Sequence, residues 1–198
     1  MTRSNDLHVE DFIEKPIQVV DHYGIVTAEP AIGIIYIINN FISGHLRMRG
    51  KGGGRYPFQY LEFIESTFGR ESHTIEVCSG SVSEFGVMRV DVDLNTNPNL
   101  VKDGQTLEGI DDNTYDRWRC DPPYNELRAE KMYGCALPSL SKLLKAGARV
   151  VKPGSLMFLL CAQNYQICPK GVKRIGVIPI TVVPNNEIRM LNIYVKVF

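Results

Sequence analysis

The chain carries no excess charge of either sign: 22 lysines and arginines balance 22 aspartates and glutamates, for a formal net charge of zero. That balance excludes a protein that holds nucleic acid through a global positive field, so any contact with a polyanion must use a local patch. The five cysteines, at 78, 120, 135, 161 and 168, are odd in number and form no CxxC pair. This argues against a disulfide framework and against a zinc site, and leaves reduced, buried thiols as the expectation. No run of about 18 or more apolar residues is present to span a bilayer. The N-terminus opens polar and acidic, unlike a secretory leader. There is no internal repeat. The expectation from these absences is a soluble, cytoplasmic protein without a membrane partner.

What is present suits one folded domain. The chain has 198 residues, 44% hydrophobic and 22% charged, close to an average globular composition and long enough to bury a core without staples. Residues 29–46 are rich in isoleucine (Ile32, Ile34, Ile35, Ile37, Ile38, Ile42). Their length fits a helix that starts near Pro30, and their β-branched density equally permits a strand. As a helix the segment suggests a dimerisation element, with packing against the sheet as the plainer reading. Residues 47–55 read Arg-Met-Arg-Gly-Lys-Gly-Gly-Gly-Arg, a basic, flexible loop. From Pro57 to Phe68 the apolar residues recur at helical spacing, and Gly69 stops the pattern. Strands are expected over 74–78, 87–92, 99–102, 118–120, 155–162, 172–183 and 188–198, with an amphipathic helix over 137–146 and a turn at Pro184-Asn185-Asn186. Long apolar runs in the middle and alternating ones at the end predict a mostly parallel Rossmann-like sheet with a C-terminal antiparallel strand pair.

Four features in order carry chemistry. Glu76-Val77-Cys78-Ser79-Gly80-Ser81 ends the first clear strand in a small-residue turn that lets backbone approach a ligand. Asp91-Val92-Asp93 follows the next strand, where an acid can accept both hydroxyls of a ribose. Asp103-Gly104-Gln105 is a turn whose carboxylate or amide can face an adenine edge. Asp121-Pro122-Pro123-Tyr124 is the specific signal. Two prolines directly after a strand end its ladder and hold the chain extended. Free carbonyls and the Asp121 carboxylate accept hydrogen bonds, and Tyr124 offers a ring for stacking. Together they make a receptor for an amino group on an aromatic ring.

This set resembles the class I S-adenosylmethionine-dependent methyltransferases, and within them the enzymes that modify exocyclic amines of adenine or cytosine in DNA. The resemblance runs from Arg55 to the C-terminus, which divides the chain into an N-terminal extension (1–54) and a methyltransferase domain (55–198). It implies that Arg55-Tyr56-Pro57-Phe58 caps the methionine end of the cofactor, with Pro57 and Phe58 in contact. By the same resemblance Glu76, Cys78, Ser79, Gly80 and Ser81 form the cofactor loop, Asp93 (with Asp91 second) binds the ribose, and Asp103 stands near the adenine ring. Asp121, Pro122, Pro123 and Tyr124 match the catalytic tetrad. Arg149 to Gly154 matches the family's run into its fifth strand. The chain has Val82 where the family's loop carries a further glycine, and Arg117 and Arg119 where its fourth strand is mostly apolar.

The resemblance implies methyl transfer from S-adenosylmethionine, without a metal, to adenine N6 or cytosine N4, in DNA ahead of RNA. Methylation of an RNA base or of a protein glutamine is the alternative, and a non-catalytic cofactor-binding module is another. Arg47, Arg49 and Lys51 form the densest local positive charge and are expected to contact phosphates.

Overall fold

The computed structural model describes residues 19–20, 25–27, 33–38, 41–49, 56–82, 86–183 and 187–198. The strands are β1 (Val19–Val20), β2 (Ile25–Thr27), β3 (Gly33–Ile38), β4 (Phe41–Arg49), β5 (Thr74–Val77), β6 (Val87–Asp91), β7 (Leu100–Val101), β8 (Tyr115–Cys120), β9 (Val151–Cys161), β10 (Val172–Val183) and β11 (Glu187–Lys196). The helices are α1 (Tyr60–Phe68), α2 (Glu126–Tyr133) and α3 (Leu140–Val150). All strands join one sheet in the order β1-β2-β3-β4-β10-β11-β9-β8-β5-β6-β7. The block β9-β8-β5-β6-β7 is parallel throughout. β11 runs antiparallel between β9 and β10, and β4 pairs in parallel with β10. This is the Rossmann-like sheet with a C-terminal antiparallel pair that the hydrophobic pattern predicts.

Two apolar clusters fill the two faces, and β9 shows how the sequence divides them. Leu156, Phe158 and Leu160 enter one cluster with Tyr60, Phe63, Ile64 and Phe68 of α1. Met157, Leu159 and Cys161 enter the other with Leu143 and Leu144 of α3. Strict alternation along a strand covered on both faces leaves no polar position, so the segment reads as one continuous apolar run. α3 begins where Ser139 caps it, its side chain accepting from Lys142 N, so the helix starts after Pro138 and runs four residues beyond its expected end. Gly147 lies under the indole of Trp118. A Cβ there would fall 2.7 Å from Cε2, so glycine is what lets α3 approach β8 over a tryptophan.

The Ile-rich segment is strand where it is described, not helix. Ile42, Leu46 and Met48 of β4 alternate into the core on the α1 side, and β4 is paired on both edges, by β3 and β10. Period-two burial wins over length here, and no dimerisation helix forms over these residues. Arg47 and Arg49 likewise belong to β4 rather than to a loop, because the ladder with β10 continues to Val183↔Arg49. Lys51, Arg55 and the Pro184-Asn185-Asn186 turn lie outside the described residues. α2 was not anticipated from sequence. Its caps are legible, since Asn125 accepts from Arg128 N and Gly134 closes the helix in the left-handed region, but it buries only Ala129 and so lacks an apolar stripe.

Buried polar groups fasten the connections. Arg117, 2% exposed, donates to the carbonyls of Phe68 and Gly69, satisfying the C-terminus of α1. Arg149 of α3 donates to the carbonyls of Ile110 (2.6 Å) and Leu107 (2.9 Å), holding the loop between β7 and β8. Asn192 of β11 accepts from Tyr165 N and donates to the Gln163 carbonyl, holding the loop after β9. Among the described residues no helix is long and apolar enough to cross a membrane.

Gly147→Ala should lower stability by about 1–3 kcal/mol, the usual cost of overpacking, although alanine is the better helix former. Urea denaturation measures it. An unchanged midpoint would show that Trp118 moves aside freely.

Candidate functional site

The winding direction reverses at the centre of the parallel block. From β5 the chain moves outward to β6 and β7, then returns to place β8 and β9 on the other side of β5. In open α/β sheets a crevice forms at such a reversal, outside the carboxyl ends of the strands. A cavity of about 230 Å³ lies there, with Cys78 after β5, Asp91 ending β6, Asp103 and Gly104 after β7, and Asp121 and Pro123 after β8 on its wall. Tyr133, Cys135 and Pro138, from the end of α2 and the approach to α3, also line it.

The loop after β5 is folded by its own small residues. Cys78 and Gly80 both have positive φ (55° and 51°), and Gly80 N donates to Asp91 Oδ2 at 2.8 Å. Asp91 Oδ1 accepts from Asp93 N at 3.0 Å. The Asp91 carboxylate, buried at the sheet edge, thus ties two loops together while lining the cavity. Asp93 is not on the cavity wall. Its carboxylate caps a single 3-10 turn, Leu94–Thr96, by accepting from the backbone and side-chain nitrogens of Asn95. Asp103 accepts from Gln105 N (2.8 Å), and Gln105 Oε1 accepts from Ser139 N (2.9 Å), joining this turn to α3. Gly104 is pressed against β5: a Cβ there would stand 2.3 Å from Val77 Cγ1.

Behind the cavity, on the α1 side of the sheet, lies a buried polar network. Glu76, fully buried, accepts from Arg119 Nε at 2.6 Å and from the Tyr56 hydroxyl. The Tyr56 ring stacks on Tyr60 at 4.4 Å. Burial pushes both tyrosine hydroxyls well above their ordinary pKa, and the Glu76 carboxylate adds to it. This pairing explains both arginines in β8: Arg117 caps α1 and Arg119 neutralises Glu76. Val82 points away from the cavity, buried in the α1-side cluster, so its Cβ does not narrow the cavity.

The Asp121 group joins the two regions. Tyr124 donates its hydroxyl to Asp121 Oδ1, and Arg189 of β11 stands 3.9 Å from Oδ2. The Arg189 guanidinium lies 4.7 Å from the Tyr124 ring centre and that of Arg128 5.5 Å. Glu187 accepts from Arg128 at 2.7 Å and lies 3.5 Å from Arg189. Desolvation raises the Asp121 carboxyl to a pKa of about 7, against the lowering effect of Arg189 and of the Tyr124 hydrogen bond.

The structure therefore gathers Cys78, Asp103, Asp121 and Pro123 of the sequence-predicted residues on one wall. Glu76 lies behind it, and Ser79, Gly80 and Ser81 lie in the loop. Pro57, on the other side of Tyr56, is buried, while Phe58 is exposed. Pro122 is buried and Tyr124 half-buried beneath Arg189. Sequence reasoning missed Arg189, Tyr133, Cys135 and Pro138. Arg189 arrives from the far strand pair, and no spacing rule links it to Asp121.

No family model matches the chain, and no curated protein does. Among solved structures it is similar to TrmN from Thermus thermophilus, at 13% identity and a TM-score of 0.47 over 64% of this chain and 45% of that one. It is also similar to the 16S rRNA (adenine(1408)-N(1))-methyltransferase from Catenulisporales acidiphilia, at 13% identity and 0.43 over 76% and 98%. A SAM-dependent methyltransferase from Aquifex aeolicus matches at 14% identity and 0.41 over 65% and 84%. The chain spans less than half the length of TrmN.

The raised Asp121 pKa has a stability consequence. The folded protein holds this proton more tightly than the unfolded chain, so between about pH 4 and pH 7 stability falls as pH rises. Asp121→Asn is neutral throughout. Its Tm relative to wild type should therefore be higher at about pH 8 than at about pH 4. Equal differences at both would show that Asp121 ionises freely.

Proposed function

We propose that the protein is an S-adenosylmethionine-dependent methyltransferase acting on an exocyclic amine of a nucleic-acid base, adenine N6 or cytosine N4. The observation that carries this reading is the cavity at the winding reversal, with Asp91, Asp103 and Asp121-Pro122-Pro123 converging on it from the ends of three different strands.

The donor set fits a nucleoside cofactor. The Asp91 carboxylate has roughly four acceptor positions, and two backbone N–H groups take two of them. The others can receive the two hydroxyls of a ribose. Asp103 and Gln105 stand one strand further out, where an adenine edge would lie. Ser79 Oγ is buried and has no hydrogen-bond partner among the described residues, leaving a hydroxyl at the turn of the loop. S-adenosylmethionine, when bound, supplies an activated methyl group.

The remaining work belongs to this chain. The lone pair of an exocyclic amine is delocalised into its ring, which makes it a poor nucleophile. Hydrogen bonds from the amine to the Asp121 carboxylate and the Pro122 carbonyl localise that lone pair and fix its direction, so positioning supplies most of the rate. A carboxyl with a pKa of about 7 is poised to take the departing proton near neutral pH. A base within a duplex cannot reach the cavity, so a flipped base or a single strand is required.

Calorimetric titration with S-adenosylhomocysteine tests the cofactor site. Asp91→Ala should weaken binding by about 1–3 kcal/mol, the cost of leaving charge-assisted bonds unmade, and Asp93→Ala should not. Loss in Asp93→Ala alone would return the ribose role to Asp93. Absence of binding by the wild type would sink the reading.

Methyl transfer from tritiated cofactor to single-stranded DNA, RNA and a glutamine peptide tests the acceptor. Asp121→Ala should abolish transfer while keeping affinity for S-adenosylhomocysteine. Wild-type turnover in that variant would reduce the Asp-Pro-Pro-Tyr segment to a structural turn.

A further inference from the structure

β4 has two unlike faces. Ile42, Leu46 and Met48 turn into the core, while His45, Arg47 and Arg49 are exposed on the opposite side. The helix on that side, α3, packs over β5, β8 and β9 and does not reach β4 or β10. The neighbouring outward row, on β10, is Val177, Pro179, Thr181 and Val183, each partly exposed. Arg47 stands beside Thr181 and Arg49 beside Val183 in the ladder. Thr181 Oγ1 lies 3.1 Å from His45 Nε2. Neither row carries a carboxylate. In a protein of zero net charge, this face is therefore a local cationic edge beside an apolar floor.

That combination selects its occupant. Side chains two residues apart on a strand stand about 6.6 Å apart along it, so Arg47 and Arg49 can meet successive phosphates of one backbone. A flat apolar floor accepts exposed base faces, which a single strand offers and a duplex hides. The row also leads to the right place. β4 runs parallel to β10, and β10 runs in the same direction as β5, β6, β8 and β9, so its C-terminal end lies at the edge that holds the cavity. There the Arg49 carbonyl accepts from Phe58 N at 2.7 Å. Two residues before Phe58, Tyr56 gives its hydroxyl to Glu76 behind the cavity.

We propose that the outward face of β4 and β10 is a track for single-stranded nucleic acid, with Arg47 and Arg49 on its phosphates and the β10 row beneath its bases. Its purpose, delivery of a base to the cavity, rests on the methyltransferase reading; its binding chemistry does not.

Fluorescence anisotropy with labelled oligothymidine and oligouridine tests it. Arg47→Glu/Arg49→Glu should weaken binding of both strands at least about tenfold and lower the slope of log affinity against log salt by about two, one per phosphate contact. Arg47→Gln/Arg49→Gln should show the same flattened slope, with a native circular dichroism spectrum and melting curve as the check on folding. Lys145→Glu, exposed on α3, should bind as wild type does. The track is overturned if the wild type binds neither strand at low salt, if Lys145→Glu weakens binding as much, or if a duplex hairpin or polyglutamate binds as tightly as the single strands. A parallel titration with S-adenosylhomocysteine separates the two readings. Cofactor binding without strand binding sinks the track alone, and strand binding without cofactor binding sinks the methyltransferase reading and leaves the track.

Discussion

A carboxylate and a guanidinium buried side by side on adjacent central strands hold the working edge of this protein together. Glu76 of β5 and Arg119 of β8 are neighbours in the parallel ladder, and both are almost wholly out of solvent. Two isolated charges at that depth would cost several kcal/mol each. Paired, and with the Tyr56 hydroxyl donating to the same carboxylate, they become a junction among β5, β8 and the segment that enters α1. The cavity lies just beyond this junction, so the separation of its loops is set by a short, desolvated contact rather than by flexible backbone.

The parallel block is built with unusually little helix. Parallel neighbours are ordinarily joined by a dozen or more residues containing a helix. Here β5 and β6 are joined by residues 78–86, β6 and β7 by a link with one 3-10 turn, and β7 and β8 by a link with no helix. Specific side-chain contacts take over the task of fixing these connections. Asp91 ties the first two links to each other, Gln105 ties the third to α3, and Arg149 holds the rest of the third under α3. The same contacts surround the cavity, so the bonds that stabilise the loops also shape the site.

Asp121 stands where the two regions meet. One of its oxygens accepts from Tyr124, and the other faces Arg189, which also covers the Tyr124 ring. Opposed influences, burial against a nearby cation and a hydrogen bond, bring its carboxyl close to neutrality near pH 7. An acceptor held at that balance can change protonation state at small cost, which is the property the proposed chemistry needs.

Much of the fold was legible in the sequence because its signals are local. Alternation marks β10 and β11, a continuous apolar run marks β9, and small residues after a short apolar strand mark the loop after β5. The Asp-Pro-Pro-Tyr segment announces its position, since two prolines cannot continue a ladder. The Ile-rich segment stayed ambiguous because isoleucine serves helix and strand alike; only the presence of β10 as a partner for β4 decided it, and with it moved Arg47 and Arg49 from a loop onto a sheet face. Asp91 and Asp93 are equivalent two residues apart in a sequence. The end of the strand separates them: Asp91, its last residue, turns to the cavity and Gly80, and Asp93, beyond it, is spent on a cap. Arg189 was wholly invisible, because it meets Asp121 only after β11 has inserted between β9 and β10. Local patterning thus determined which segments became strands and where the chain had to turn, since those preferences act over a few residues. Which carboxylates face one another, and which cations accompany them, was decided by strand order alone, because long-range pairing sets distances that no spacing along the chain encodes.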